Sequence, residues 1–159
     1  MGARVNRKRT VVVSLAVFTM VILLPSLSIA GKRLEVMGFY LGMNVNDAVK
    51  NIKKLGIDNY QVISTGVSFG QDLGNWLQID NDNKVNYILF TYRLFDAQDL
   101  SLNDFIKKFT LSYHIPLKYD SMRDTYFYQT SDCEVLIPSD PGGIVIIHKN
   151  PKPEFNVNG

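Results

Sequence analysis

Three spacings of apolar residues divide the chain. Over residues 11–24 they are almost continuous, preceded by Arg4, Arg7, Lys8 and Arg9 and followed by Pro25 and the small residues Ser28 and Ala30. Over 45–55, and again from 102, they recur every three or four positions, the spacing of one helix face. Elsewhere they alternate or gather in short runs between turn-forming residues, as strands do.

The first periodic stretch carries its own boundaries. Asn44 can cap with its side-chain oxygen, Asp47 completes an approximate capping box, and Val45, Ala48, Val49, Ile52 and Leu55 form the stripe that Gly56 stops. Lys50, Lys53 and Lys54 fall toward solvent and toward the C-terminal end, where positive charge suits the helix dipole. The second stretch follows the same plan, with Ser101 and Asp104 as cap and acid, Leu102, Phe105, Ile106 and Phe109 as the stripe, and Pro116 as terminator. The cap, the acid and the stripe lie 57 residues beyond their counterparts. Two readings stay open: a duplicated unit of helix and meander, or two amphipathic helices sharing ordinary capping chemistry.

Strands are predicted over 60–63, 76–79, 84 to 95, 125–129, 133–137 and 143–149, after an extended approach at 39–43. Residues 64–74 read as a Gly/Ser-rich loop, and 80–83 and 139–142 as turns. In the long strand Val85, Tyr87 and Leu89 alternate with Ile88, Phe90, Tyr92 and Leu94, so both faces are apolar and the strand belongs inside its sheet. The expected fold class is α+β, with two helices packed on one face of an antiparallel sheet of about six or seven strands.

The opening segment changes how the charge is read. A basic start, an apolar run and a small-residue site make residues 1–30 a signal peptide, cleaved before Gly31. The alternative is an uncleaved membrane anchor, which the polar residues in the run and Pro25 weaken. Four of the 17 Lys and Arg and none of the 15 Asp and Glu lie in that segment, so the remainder carries two net negative charges. Its basic residues are scattered, which argues against a nucleic-acid partner. Residues 31–149 suit a single domain and 150–159 a loose tail. The single cysteine, Cys133, rules out an intramolecular disulfide.

The stretch Gly38-Phe39-Tyr40-Leu41-Gly42-Met43-Asn44-Val45-Asn46-Asp47-Ala48-Val49 resembles the opening of small exported domains of the SmpA/OmlA type, the outer-membrane assembly lipoproteins, and of β-lactamase inhibitor protein-like domains. In those families a short Leu-Gly-Met segment leads into a capped helix that packs on an antiparallel sheet. The chain departs from the lipoproteins in having Gly31 where they carry the acylated cysteine. The resemblance implies a non-enzymatic, protein-binding α+β domain outside the cytoplasm.

Candidate chemistry is sparse. Asp80-Asn81-Asp82-Asn83 starts like a calcium loop, but Lys84, Val85 and Thr91 stand where such a loop needs a ligand, a glycine and a glutamate, so it reads as a polar turn. Cys133 and His148 could meet on neighbouring strands as a nucleophile and base, the alternative of a small secreted enzyme. Two histidines and one cysteine leave no zinc set, and no cofactor loop is present in the sequence. Aromatic residues point instead to docking: Tyr87, Tyr92, Tyr126 and Tyr128 are the candidate binding residues, unless the 64–74 loop, with Phe69 and Trp76, covers the second sheet face as core. The expected role is an exported, periplasmic or secreted accessory domain whose partner is another envelope or secreted protein, with the membrane involved only through an uncleaved first segment. N-terminal sequencing of the exported product is expected to begin at Gly31; a product beginning at the initiator end would establish the anchor instead.

Overall fold

In the computed structural model, which describes residues 33–139 and 143–150, each predicted helix forms where its cap places it. In α1 (Val45–Lys54) the Asn44 side chain accepts from the Asn46 N–H, Asp47 lies in the first turn, and Lys53 and Lys54 lie in the last. Gly56 then takes φ +75°, a left-handed turn that L side chains resist. In α2 (Leu102–Tyr113) the Ser101 hydroxyl accepts from the Asp104 N–H and donates to its carboxylate at 2.6 Å. His114, left-handed at φ 55°, ends this helix ahead of Pro116.

The strands are β1 (Tyr60–Ile63), β2 (Gly66–Phe69), β3 (Asn75–Ile79) and β4 (Val85–Thr91) after α1, and β5 (Lys118–Asp120), β6 (Thr125–Gln129), β7 (Cys133–Pro138) and β8 (Ile144–Lys149) after α2. All eight join one antiparallel sheet in the order β1-β2-β3-β4-β8-β7-β6-β5. Each helix therefore heads a run of four consecutive strands, and the two runs meet at the β4–β8 pair. The sheet outweighs the helices within this α+β architecture.

Strand alternation assigns the two faces. Val67, Phe69, Leu77, Ile88, Phe90, Val135, Ile137, Val145 and Ile147 are fully or almost fully buried, and they form one core with Ala48 and Ile52 of α1 and Phe105 and Phe109 of α2. Aromatic rings carry the contact between layers. Phe39 lies 5.4 Å from both Phe69 and Phe90, and Phe95 bridges Phe90 at 6.0 Å to Phe105 at 5.5 Å and Phe109 at 5.8 Å. Each fully buried phenylalanine contributes about 1.5–3 kcal/mol of apolar transfer free energy.

Three element predictions are corrected. Residues 64–74 are not a loop: they hold β2 and a short 3-10 turn, because Gly66 serves close packing and not chain reversal. The long strand ends at Thr91, where Tyr92–Phe95 turns as a 3-10 helix closed by left-handed Asp96, and the Tyr92 N–H bonds the Gly143 carbonyl at 2.7 Å. Strand β5, three residues with no apolar alternation, was not in the sequence pattern. Residues 1–30, expected as a signal peptide, most of the expected turn at 139–142 and most of the expected tail at 150–159 fall outside the described residues.

Tyr92 is 9% exposed and its ring stacks on Phe105 with centroids 3.7 Å apart, while its hydroxyl meets no hydrogen-bond partner among the described residues. Burial pushes its pKa up to about 12. Below pH 10 the folded and unfolded chains both hold this proton; above it only the unfolded chain releases it readily, so stability must fall as pH rises from about 10 to about 12, by roughly 2–3 kcal/mol. Denaturant titrations near pH 8 and pH 11 should show about half of that loss, roughly 1.4 kcal/mol. Tyr92→Phe should remove that residue's share and leave the smaller contributions of Tyr87 and Tyr113, whose phenols burial also raises, with stability at the lower pH unchanged or raised by about 1 kcal/mol.

Candidate functional site: the uncovered sheet face

The same alternation that fills the core sends every second side chain to the opposite face, and no described element covers that face. A single row crosses seven strands there: Ser68 pairs with Trp76, Trp76 with Leu89, Leu89 with Ile146, Ile146 with Leu136, Leu136 with Phe127, and Phe127 with Lys118. Its five central members, Trp76, Leu89, Ile146, Leu136 and Phe127, are all apolar and half-buried. None of them belongs to the core cluster or packs against it. Beside this apolar row runs a polar one, Gln78, Tyr87, His148, Glu134 and Gln129, in the same cross-strand register.

Two devices hold the row in place. At one end Trp76 lies over Gly66, where an added Cβ would strike the Leu77 carbonyl oxygen and come within 2.6 Å of the indole ring. The glycine is thus the seat of the tryptophan, a close approach only a residue without a side chain permits. At the other end the Arg123 guanidinium lies 5.1 Å from the centre of the Phe127 ring and bonds Glu134 at 3.1 Å and Asp120 at 2.7 Å. That bond from Arg123 is the main cause holding the Asp120 carboxyl below the usual carboxylate range, and Asp120 in turn raises Arg123. Glu134, whose side chain is 12% exposed, also meets His148 Nε2 at 3.4 Å, while His148 Nδ1 lies 3.0 Å from the Lys149 carbonyl. Arg123 thus ties the two carboxylates of this corner together beside an amphipathic face.

The residues singled out from sequence separate on this frame. Tyr87 is on the uncovered face, where burial raises its phenol above the ordinary value. Tyr92 is in the core. Tyr126 and Tyr128 pair with Ile137 and Val135 on the helix-bearing face, and the Tyr126 hydroxyl donates to Asn103 of α2 at 3.3 Å. The four tyrosines therefore do not share a surface. Phe69 is likewise core, so of the two aromatics expected to cover the second face only Trp76 lies on it.

Cys133 and His148 do not form a dyad. Glu134 is the cross-strand partner of His148, and Cys133, one residue earlier, points to the opposite face beside Thr130, with Sγ 3.4 Å from its Oγ1. The Asp80 turn is closed by its own backbone: Asp80 accepts from the N–H groups of Lys84 and Asp82, the Lys84 bond being the chief cause of its lowered pKa. Among the described residues no three His, Cys, Asp or Glu side chains converge on one point. A cleft of about 550 Å³ beside Thr91 and Pro138 holds Arg93 and Asp72, which pair with each other at 3.0 Å.

The sequence contained the missed residues in plain view. Leu136 and Ile146 alternate with Val135, Ile137, Val145 and Ile147, so both strands read as apolar on two sides, and only the register shows that one set has no cover. The seat of Trp76 is directly testable, since it is the chain's one tryptophan. Gly66→Ala should lift the indole toward water, shifting its emission to longer wavelength and costing about 1–3 kcal/mol by overpacking; unchanged emission would show that the ring does not rest there.

Comparison with known proteins adds no relative: no family model matches the chain, and neither a curated protein nor a solved structure matches it.

Proposed function

We propose that the chain is an exported, non-catalytic protein-binding domain, and that its docking surface is the apolar row from Trp76 to Phe127. The observation that supports this most strongly is the pairing of an uncovered apolar row with a polar row whose charges are already matched. A protein ligand laying an apolar ridge along the sheet buries the first and hydrogen-bonds to the second, with no unpaired charge left behind. Tryptophan, tyrosine and arginine, the side chains that dominate docking energetics, are spread along this face as Trp76, Tyr87 and, at the far end, Arg123. The basic and apolar first segment supports export, and the likeness of 38–49 to SmpA/OmlA-type domains and β-lactamase inhibitor protein-like domains supports binding over catalysis. The partner is another envelope or secreted protein, and retention of residues 1–30 would tether the same surface to the membrane.

We also read the domain as a duplicated unit of helix and meander. Element starts in the second half follow those in the first: Leu102 after Val45, Lys118 after Tyr60, Thr125 after Gly66, Cys133 after Asn75 and Ile144 after Val85, each 57 to 59 residues on. With the two runs meeting at β4 and β8, duplication supports the reading of the face as one continuous platform, its centre at Leu89 and Ile146.

The test is a charge placed at that centre. Leu89→Glu should weaken capture of the partner from envelope or medium fractions at least about tenfold, in line with loss of one central apolar contact. It should leave the far-ultraviolet dichroism unchanged. Leu111→Glu, at an exposed position of α2, should bind like the parent. Equal capture by both variants would remove the face from the binding surface.

A further inference from the structure

The sheet has two edges, and they are built differently. Strand β5 is three residues long and presents Lys118 and Asp120, charges that discourage another strand from joining. Strand β1, Tyr-Gln-Val-Ile, has neither charge nor proline, and its Val62 and Ile63 are 51% and 44% exposed. Among the described residues one edge is guarded and the other is open.

The ladder phase tells which groups the open edge offers. Gly70 N–H donates to the Asn59 carbonyl, and Ile79 N–H donates to the Thr65 carbonyl on the far side of β2. In an antiparallel pair the bonded positions alternate, so Asn59, Gln61 and Ile63 face β2 and the N–H and C=O groups of Tyr60 and Val62 point outward. The side chains of Tyr60 and Val62 lie on the helix-bearing face, opposite Phe69 and Val67.

We propose that β1 pairs with β1 of a second copy of this chain, antiparallel and centred on Gln61, to form one sheet continuous across two molecules. The strand's own sequence fits this occupant. Centring on Gln61 sets Tyr60 against the second copy's Val62 and Val62 against its Tyr60, so both outward positions of each chain meet outward positions and four backbone hydrogen bonds form, at two per bonded pair. Centring on Tyr60 or Val62 instead sets one of those positions opposite Asp58 or Ser64, beyond the ends of the strand. The chosen register covers half-exposed Val62 with a tyrosine ring, a favourable aromatic and β-branched cross-strand pair, and sets glutamine against glutamine with no like charges opposed. A four-residue ladder buries less than the roughly 1,000 Å² of a stable interface, so the dimer is weak and forms at high local concentration. The inference does not rest on the docking role of the uncovered face.

Register makes the test specific. Gln61 opposite Gln61 is a non-bonded pair with Cα atoms about 4.5 Å apart, within disulfide reach. Native protein purified from its producing cells should show sedimentation mass rising toward the dimer between about 10 µM and about 1 mM, the range of a sub-standard interface. Gln61→Cys, mildly oxidised, should give a covalent dimer in at least about tenfold greater yield than Met122→Cys, a fully exposed control position. Adding Val62→Pro, which removes an outward N–H and no bond to β2, should abolish that dimer; Val62→Lys, which charges the edge, gives the same readout should the proline variant not fold. A sedimentation mass that stays monomeric across the range, a Gln61→Cys yield no higher than the control, or a cross-link that survives both edge variants overturns the proposal.

Discussion

A strand must show side chains to both sides of its sheet, and the described residues hold helix enough for one side. Everything distinctive in the structure follows from that shortage. Eight strands span far more width than two helices of 10 and 12 residues can roof on both surfaces, so both helices lie with the Phe39, Phe69, Phe90 and Phe105 core and the reverse face is left to the residues that alternate with them. Had those been serine, threonine and lysine, the face would be an ordinary solvated one. They are instead Trp76, Leu89, Ile146, Leu136 and Phe127 in one register.

The polar residues near that face are arranged to stay quiet. Glu134 is nearly buried, and a lone carboxylate there would be costly; Arg123 and His148 flank it and Asp120 closes the set. Because Arg123 also lies over Phe127, the network props the aromatic end of the row as Gly66 seats the indole at the other. Rigid support of a flat apolar surface costs little extra entropy when a partner docks, which is the physical sense in which this face is prepared for contact.

Much of the frame was legible in the sequence, because local chemistry set it. Asn44 and Ser101 capped the helices, Gly56 followed the end of the first, and the Asp80 turn closed on its own backbone, whereas the second helix ends at left-handed His114, two residues before the expected Pro116. What the sequence hid was whatever depended on distant partners. Gly66 reads as a loop residue until Trp76 is seen above it, and Tyr92 reads as strand until its N–H is found bonded to Gly143. The site was hidden for the same reason: Tyr126 and Tyr128 look like a platform in a strand read alone, and only their pairing with Ile137 and Val135 turns them toward α2. Cross-strand register, which separated Cys133 from His148, carries no local signal at all.

The central claim is that one face of the sheet is bare in the free protein while the other is sealed, and hydroxyl-radical footprinting of the native chain tests it residue by residue. The account predicts rapid modification of Trp76, Phe127 and Leu136 together with strong protection of Phe39, Phe69, Phe90 and Phe105. Protection of Trp76 and Phe127 at the level of the core phenylalanines would mean that another part of the chain roofs the second face, and would contradict it.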